Sequence, residues 1–401
     1  MATSYLTPGI YIEEVSTGAR PIEAVGTSTA AFLGLAPDPG AHVGEAVAIN
    51  NPSELSRKFI GKSGKSTPLS NAVFGFFQNG GSRCYVVNLG AGGTLQGTGD
   101  GRQGLQLLEA IDEVSIVAAP GFCDAASYEA LLSHCESLGD RVAILDAPLD
   151  VADTDQLKQV ATAGGGDDGK ASAGAGLRPR RSDRGFGAFY FPWITIADPL
   201  APKQLVACPP SGHLAGIYAR TDSTRGVHKA PANETVRGAL DVSYRVTQAE
   251  QGELNRNGVN CIRFFHREGI RVWGGRTLAD GAGEWRYINV RRLFNMIEES
   301  ISSATRWVTF EPNDTSLWQS IKRDINAFLM RLWRDGALMG ATPEEAFFVQ
   351  CDEETNPPES INEGKVVAVI GVAPVKPAEF VIIRIGQTAA GAEIEVEGGD
   401  S

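Results

Sequence analysis

The chain has 401 residues, 42% of them hydrophobic, more apolar material than one core holds, so roughly two or three domains are expected. Its 36 Lys and Arg against 48 Asp and Glu leave a formal charge of -12, which argues against the basic face that a nucleic-acid binder needs to displace counterions. Cys84, Cys123, Cys135, Cys208, Cys261 and Cys351 are scattered without a CxxC pair or a metal-ligand spacing, and read as reduced core residues of a cytosolic protein.

Met1 to Thr7 carry neither a basic region nor an apolar stretch, so no secretory leader is expected, and no later run has the length of a membrane span. Pro8-Gly9 then opens Ile10-Tyr11-Ile12-Glu13-Glu14-Val15, a strand with no hairpin partner beside it. Thr27 to Leu35 and Cys84 to Leu89 are apolar runs of strand length. Between them Ser53 is expected to cap a short helix near Glu54, and Pro68 to open another through Phe77. A second α/β stretch follows: a helix over Gly104 to Ile111, a strand Val114 to Ala118, a helix Ser127 to Leu138 and a strand Val142 to Asp146. Ala163 to Gly187 is dense in Gly, Ala, Ser, Asp and Arg and is expected as an exposed loop.

Apolar character returns at Phe189 to Ile194, and the chain stays rich in turns through Phe265. Two amphipathic helices come next. The first, about Val290 to Thr305, puts Leu293, Phe294, Ile297 and Ile301 on one face. The second starts after Asn313 or Asp314 as N-cap and ends before Gly336. Its apolar face is Leu317, Trp318, Ile321, Ile325, Phe328, Leu329 and Leu332, with Lys322, Arg323, Arg331 and Arg334 opposite. Strands are expected at Phe347 to Cys351 and Lys365 to Gly371. Pro377 then precedes Glu379-Phe380-Val381-Ile382-Ile383-Arg384-Ile385, a second lone strand. A lone strand must find its hydrogen-bond partners elsewhere, either by folding back as an edge strand or by joining the sheet of another molecule. The fold class expected is α/β of a mixed α+β kind.

No motif reaches the threshold for chemistry. Gly61-Lys62-Ser63-Gly64-Lys65-Ser66-Thr67 ends like a phosphate-binding loop, yet Phe59 stands where a Walker A needs glycine. Gly99 to Gly104 fits GxGxxG literally, but a glycine-rich loop separates it from the strand ending at Leu89, so a nucleotide-binding α/β enzyme is the weaker alternative. His42, His134, His213, His228 and His266 show no metal-ligand spacing, and Ser211 beside His213 lacks the GxSxG elbow of a nucleophile. Glu298-Glu299 and Glu344-Glu345 suit solvated helix faces or first turns. No catalytic, cofactor or metal residue is assigned.

A resemblance emerges from a series of segments. Phe191-Pro192-Trp193-Ile194, Ala207 to His213, Gly216 to Asp222 and Arg225 to Asn233 stand in that order. They are followed by Val272 to Thr277, Trp285 to Arg292, Phe310 to Asp314 and Ala373 to Phe380, with Thr7 to Val15 at the start. Together these resemble the tail sheath proteins of contractile phage tails, R-type bacteriocins and, most closely, phage-tail-like extracellular contractile injection systems; the likeness is weakest over Gly90 to Gly187. The resemblance implies a structural protomer, not an enzyme, that polymerises helically around an inner tube and contracts from an extended state to drive that tube through a target envelope. It implies an N-terminal arm over 1–22, a conserved core over 23–95 and 188–375, an inserted outer α/β domain over 96–187 and a C-terminal arm over 376–401.

In such sheaths both arms add strands to neighbouring subunits, here through Ile10, Tyr11, Ile12 and Val15 and through Phe380, Val381, Ile382, Ile383 and Ile385. The basic side of the second helix, Lys322, Arg323, Arg331 and Arg334, is the candidate contact with the inner tube, although Asp324 interrupts it; Arg178, Arg180, Arg181 and Arg184 form a rival basic cluster in the loop expected outside. Implied partners are further copies of the chain, the inner tube protein, and baseplate and tail-terminator or cap proteins, with no nucleic acid and no direct membrane insertion. Assembly in the bacterial cytoplasm is implied, while release by lysis and anchoring at a membrane stay open.

Overall fold

The computed structural model describes residues 21–61, 65–97, 101–162 and 176–382. The expected strand Ile10 to Val15, the positions Ile383 and Ile385, and most of the glycine-rich run 163–187 lie outside these. In chain order the strands are β1 (Ala30–Gly34), β2 (Ala46–Ile49), β3 (Cys84–Asn88), β4 (Ile116–Ala118), β5 (Val142–Asp146), β6 (Gly187–Phe191), β7 (Ile194–Ala197), β8 (Leu205–Cys208), β9 (Glu234–Thr235), β10 (Ala239–Val242), β11 (Val259–Phe265), β12 (Gly269–Trp273), β13 (Phe347–Gln350) and β14 (Val369–Val372). The helices used below are α1 (Pro52–Leu55), α2 (Pro68–Asn79), α3 (Ala125–Leu138), α4 (Ser211–Arg225), α5 (Gln248–Arg256), α6 (Ile288–Ala304) and α7 (Thr315–Arg334).

A nine-stranded sheet of order β2-β3-β1-β4-β5-β6-β11-β12-β9 forms the body of the molecule. Strands β3, β1, β4, β5, β6 and β11 run parallel, with antiparallel β2 at one edge and, at the other, β12 antiparallel to β11 and β9 antiparallel to β12. The central strands read as unbroken apolar runs because both faces are covered. Phe32, Val86, Ile116, Ile144 and Tyr190 face α2 and α4, whereas Leu33, Val87, Val117, Leu145 and Phe189 face the layer containing α3. A second sheet, β10-β7-β8, flanks the body, and β13 and β14 form a separate antiparallel pair.

The strands of 96–187, expected as an inserted domain, lie at the centre of the sheet between β1 and β6. Being apolar on both faces, they can be buried only inside a two-sided layer. The stretch from α6 onward instead builds its own core, with Leu293, Ile297, Trp318, Ile325, Phe328 and Leu329 packed against Phe347, Val349 and Ile22.

Local chemistry sets the boundaries. Asn51, not Ser53, caps α1, its side chain accepting from the Glu54 amide at 3.0 Å. Thr67 caps α2 in a capping box with Ser70, and Gly80 ends it at a φ of 115° that a side chain rarely adopts. Two helices lie in the stretch expected to be rich in turns. The first, α4, is buried on nearly every side and therefore lacks a polar face to announce it. The second, α5, is short and opens on a Thr247–Glu250 capping box. Between Gly104 and Ala110 the expected α-helix is a 3₁₀ segment. The expected outer loop is anchored where it is described: Phe186 is fully buried, Arg180 pairs with Glu129 and Glu136, and Arg181 with Asp280. That pairing offsets much of the charge of the rival basic cluster.

Candidate functional site

The C-terminal unit carries the residues proposed for contact with an inner tube. Asp314 accepts from the Leu317 amide at 2.8 Å and starts α7, whose seven predicted apolar residues are all buried. The opposite side does not form one four-residue stripe. Arg323 pairs with Asp324 at 3.1 Å, an acid buried beneath it. Arg331 donates to the Ile22 carbonyl, and Lys322 is half-buried at the edge of the face. Arg323 and Arg334 share the outward side, three turns or about 16 Å apart along the axis.

Arg331 therefore fastens the root of the N-terminal segment. Ile22 is 1% exposed in the core of α6 and α7, and the Val25 amide donates to Ser300 Oγ at 3.0 Å. The strand positions Ile10, Tyr11, Ile12 and Val15 precede this root, outside the described residues.

At the other end the chain leaves β14 and makes its last backbone bond to the body, among the described residues, from the Val375 amide to the Ala337 carbonyl at 3.2 Å. Four residues on, Glu379 meets a prepared site. One carboxylate oxygen accepts from Arg276 Nε at 2.8 Å and Asn255 Nδ2 at 2.6 Å; the other accepts from Arg276 Nη2 at 2.6 Å and the Tyr287 hydroxyl at 3.0 Å. Arg276 is itself positioned by Nη1 donating to the Asn255 carbonyl and by its amide donating to Asn260. Burial pushes the Glu379 carboxyl upward, but the Arg276 and Asn255 hydrogen bonds outweigh it and hold it below the usual range. Beyond this point Phe380, Val381 and Ile382 are 71%, 79% and 82% exposed, apolar side chains without cover. The sequence shows Arg276 and Glu379 only as members of two separate motifs, and nothing local pairs residues so far apart.

Between the two roots lies the β13–β14 pair, registered from Phe347 with Val372 to Gln350 with Val369. Among the described residues no further strand pairs with either, and Phe348 and Val369 remain exposed. An isolated pair of this kind is stable only with packing behind it and leaves two edges able to accept strands.

The doubly wound part of the sheet would place a ligand at the carboxyl ends of β1 and β4, where the strand order reverses. The chain fills the carboxyl side of this sheet itself. Asp146 at the end of β5 accepts from the Ser211 amide at 2.8 Å and hydroxyl at 2.6 Å, and Trp193 Nε1 donates to the Ala147 carbonyl at 2.6 Å. Ser211 thus tethers the start of α4, and buried His213 packs where a Cβ on Gly75 would lie 2.3 Å from its ring. In the GxGxxG stretch, a Cβ on Gly104 would lie 2.1 Å from the Leu95 carbonyl oxygen, so this glycine serves a backbone contact. No helix among the described residues is long and apolar enough to cross a membrane.

Comparison with known proteins bears on the family and the fold. Residues 103–278 match the phage tail sheath protein central domain, and residues 282–388 match the phage tail sheath C-terminal domain, which begins beside α6. The sheath of an extracellular contractile injection system, the PVC sheath complex in its contracted state, is 31% identical, with a TM-score of 0.76 over 96% of this chain and 99% of that one. The contracted helical sheath of the anti-feeding prophage is 31% identical at a TM-score of 0.73, over 96% of this chain and all of that one. The tail sheath protein of Vibrio phage KVP40 is 30% identical over 188 residues, 46% of this chain but only 27% of the phage protein, and that of Burkholderia phage BcepMu is 27% identical over 63% of this chain and 50% of its own length. The curated phage relatives are thus matched over half of their length or less, whereas the injection-system sheath is matched over nearly all of its own. A body of two domain matches, a near-complete counterpart at 31% identity and the same mixed sheet make one conclusion: the chain belongs to the phage tail sheath family.

Proposed function

We propose that the chain is the repeating subunit of a contractile sheath, stacking in helical rings around an inner tube and shortening to drive that tube through a target envelope. The observation that carries this reading is the β13–β14 pair, whose two edges are unpaired among the described residues, lying in the chain between an N-terminal root at Ile22 and a C-terminal root at Glu379. Each subunit lends its two arms and accepts two from neighbours, so backbone hydrogen bonds run from ring to ring while the rings rotate. Extended and contracted sleeves are two packings of one subunit, biased by interface area. The arms then act as hinges that keep the mesh intact. The role is structural, and no catalytic chemistry is assigned to it.

The inner tube meets the outward side of α7 in this scheme, through Arg323 and Arg334 with Arg331 at its margin, an arrangement suited to an acidic tube wall that must be held yet allowed to slip. Baseplate and terminal cap proteins bound the two ends of the sleeve, and assembly takes place in the cytoplasm of the producing cell.

The test is negative-stain microscopy of the purified chain alone and with tube protein. Hollow striated tubes are expected, and deleting residues 1–20 should abolish them; tubes that persist without that segment would overturn the arm exchange. The double variant R323E/R334E should still form a sleeve alone but fail to dress a tube, and unchanged decoration of the tube would remove α7 from the contact.

A further inference from the structure

The arm boundary drawn from the sequence falls at residue 376, and the backbone agrees in part: Val375 makes the last main-chain bond to the body among the described residues. Glu379 nevertheless holds the chain four residues later, by side chain alone. Its acceptors are filled by a bidentate Arg276, by Asn255 and by Tyr287, and the ion pair is largely sheltered from water, with side-chain exposures of 10% and 18%. Arg276 is held independently of the arm, by its amide on Asn260 of β11 and by Nη1 on the Asn255 carbonyl near the end of α5, so its guanidinium is positioned by the body of the subunit. Such a preorganised, charge-assisted pair resists opening far better than an exposed one.

We propose that Glu379 is the latch of the C-terminal arm: the chain stays with its own subunit through this residue and can be lent to a neighbour only from Phe380 onward. The proposal rests on the sheath reading and gives it a regulating residue. With the latch closed, the exposed Phe380-Val381-Ile382 segment starts from a fixed point beside the groove lined by Phe265, Trp273 and Gln251. With the latch open, the free arm gains the four residues 376–379, or roughly 13 Å of reach. A longer tether samples a larger volume, so its effective concentration at a neighbour's sheet falls. The latch thus sets both the direction of the arm and the ease with which rings join. Arg276 and Glu379 are positioning residues, acting through the strand that follows.

Two measurements on the full chain test it. A nitroxide at A378C, an exposed position beside the latch, should be immobilised in the unassembled protein and become mobile when E379A is added, with folding checked by near-ultraviolet circular dichroism. If E379A does not fold, Y287F, which removes a single hydrogen bond, takes its place and should give a smaller gain in mobility. In sedimentation, E379A should raise the concentration needed for tube formation roughly 3- to 10-fold, and E379Q should lie between it and wild type. A label equally mobile with and without Glu379, or an unchanged assembly threshold, overturns the latch. Failure of the wild-type chain to form tubes under any condition sinks the sheath reading instead, while the label comparison on the free subunit still decides the latch.

Discussion

Phe310 is held at a φ of 72° with its ring fully in solvent, a conformation and an exposure that each cost the isolated subunit free energy. It sits in the connection between α6 and α7. Replacing it with Asn, which tolerates the left-handed region, should stabilise the free chain by about 0.5–1 kcal/mol in urea unfolding. If the ring is kept for packing on a neighbour, the same variant should assemble less readily; a variant that is neither more stable nor slower to assemble would remove both reasons for a phenylalanine there. Asp146 gives a residue-scale pH effect. Burial lifts its carboxyl to about 7, against the pull of the Ser211 hydrogen bonds. A raised value in the fold means that the protonated form suits the folded state. The stability linked to this group is therefore full below the ordinary carboxyl range and is lost as pH rises toward 7. Between pH 4 and pH 7.5 the wild type should lose on the order of 2–4 kcal/mol relative to D146N, read as the difference between their unfolding free energies at each pH. Parallel pH profiles for the two proteins would show that the carboxyl is not perturbed.

At the scale of elements, α2 and α4 approach so closely that their contact excludes side chains. A Cβ on Gly212 would lie 2.3 Å from the Ala72 backbone, and one on Gly216 would lie 2.4 Å from the Phe76 carbonyl oxygen. G212A should cost roughly 1–3 kcal/mol through forced separation of the helices, measured by denaturant midpoint at constant m-value. The same packing explains what the sequence concealed. A helix buried all round has no periodic polar face, so α4, in the stretch expected to be rich in turns, is not legible from pattern. The amphipathic α7 was legible to within a residue at each end, because its cap, its apolar stripe and the glycine after it all agree. Strands β4 and β5 were legible as strands, but their place in the middle of the sheet depends on partners far apart in the chain. The junction of the two units was equally hidden: Arg292 donates to both oxygens of Asp222 at 2.9 and 2.5 Å and to the Thr27 carbonyl, joining α6 to α4 and to the approach to β1. Removing one partner, as in D222A, leaves a buried guanidinium uncompensated and should cost about 3–5 kcal/mol, whereas R292M/D222L should cost clearly less.

For the whole molecule, the proposed arm exchange assigns folding and assembly to different parts of the chain. Among the described residues, all three cores are built from positions between Ile22 and Val372, inside the two proposed arms. The sequence suggests this division through expected lone strands at both ends, whereas the anchoring points, Ile22 on Arg331 and Glu379 on Arg276, depend on side chains from distant elements. A subunit spanning residues 21–379 keeps both roots and both edges of the β13–β14 pair. On the exchange scheme it can accept strands from neighbours but has none to lend. It should fold with the melting temperature of the full chain within a few degrees, and on its own it should stay monomeric at concentrations where the full chain forms tubes. Mixed with the full chain it should act as a terminator: each incorporation fills a place in a ring without passing hydrogen bonds onward. Tube length, measured by microscopy, should then shorten steeply as the armless fraction rises, at fixed total protein. Dilution alone would produce a milder decline, set only by the fall in full-length subunits. If length follows that milder curve, armless subunits are excluded from the sleeve and the arms are needed for entry; if tubes grow undiminished, strand exchange does not hold the rings together.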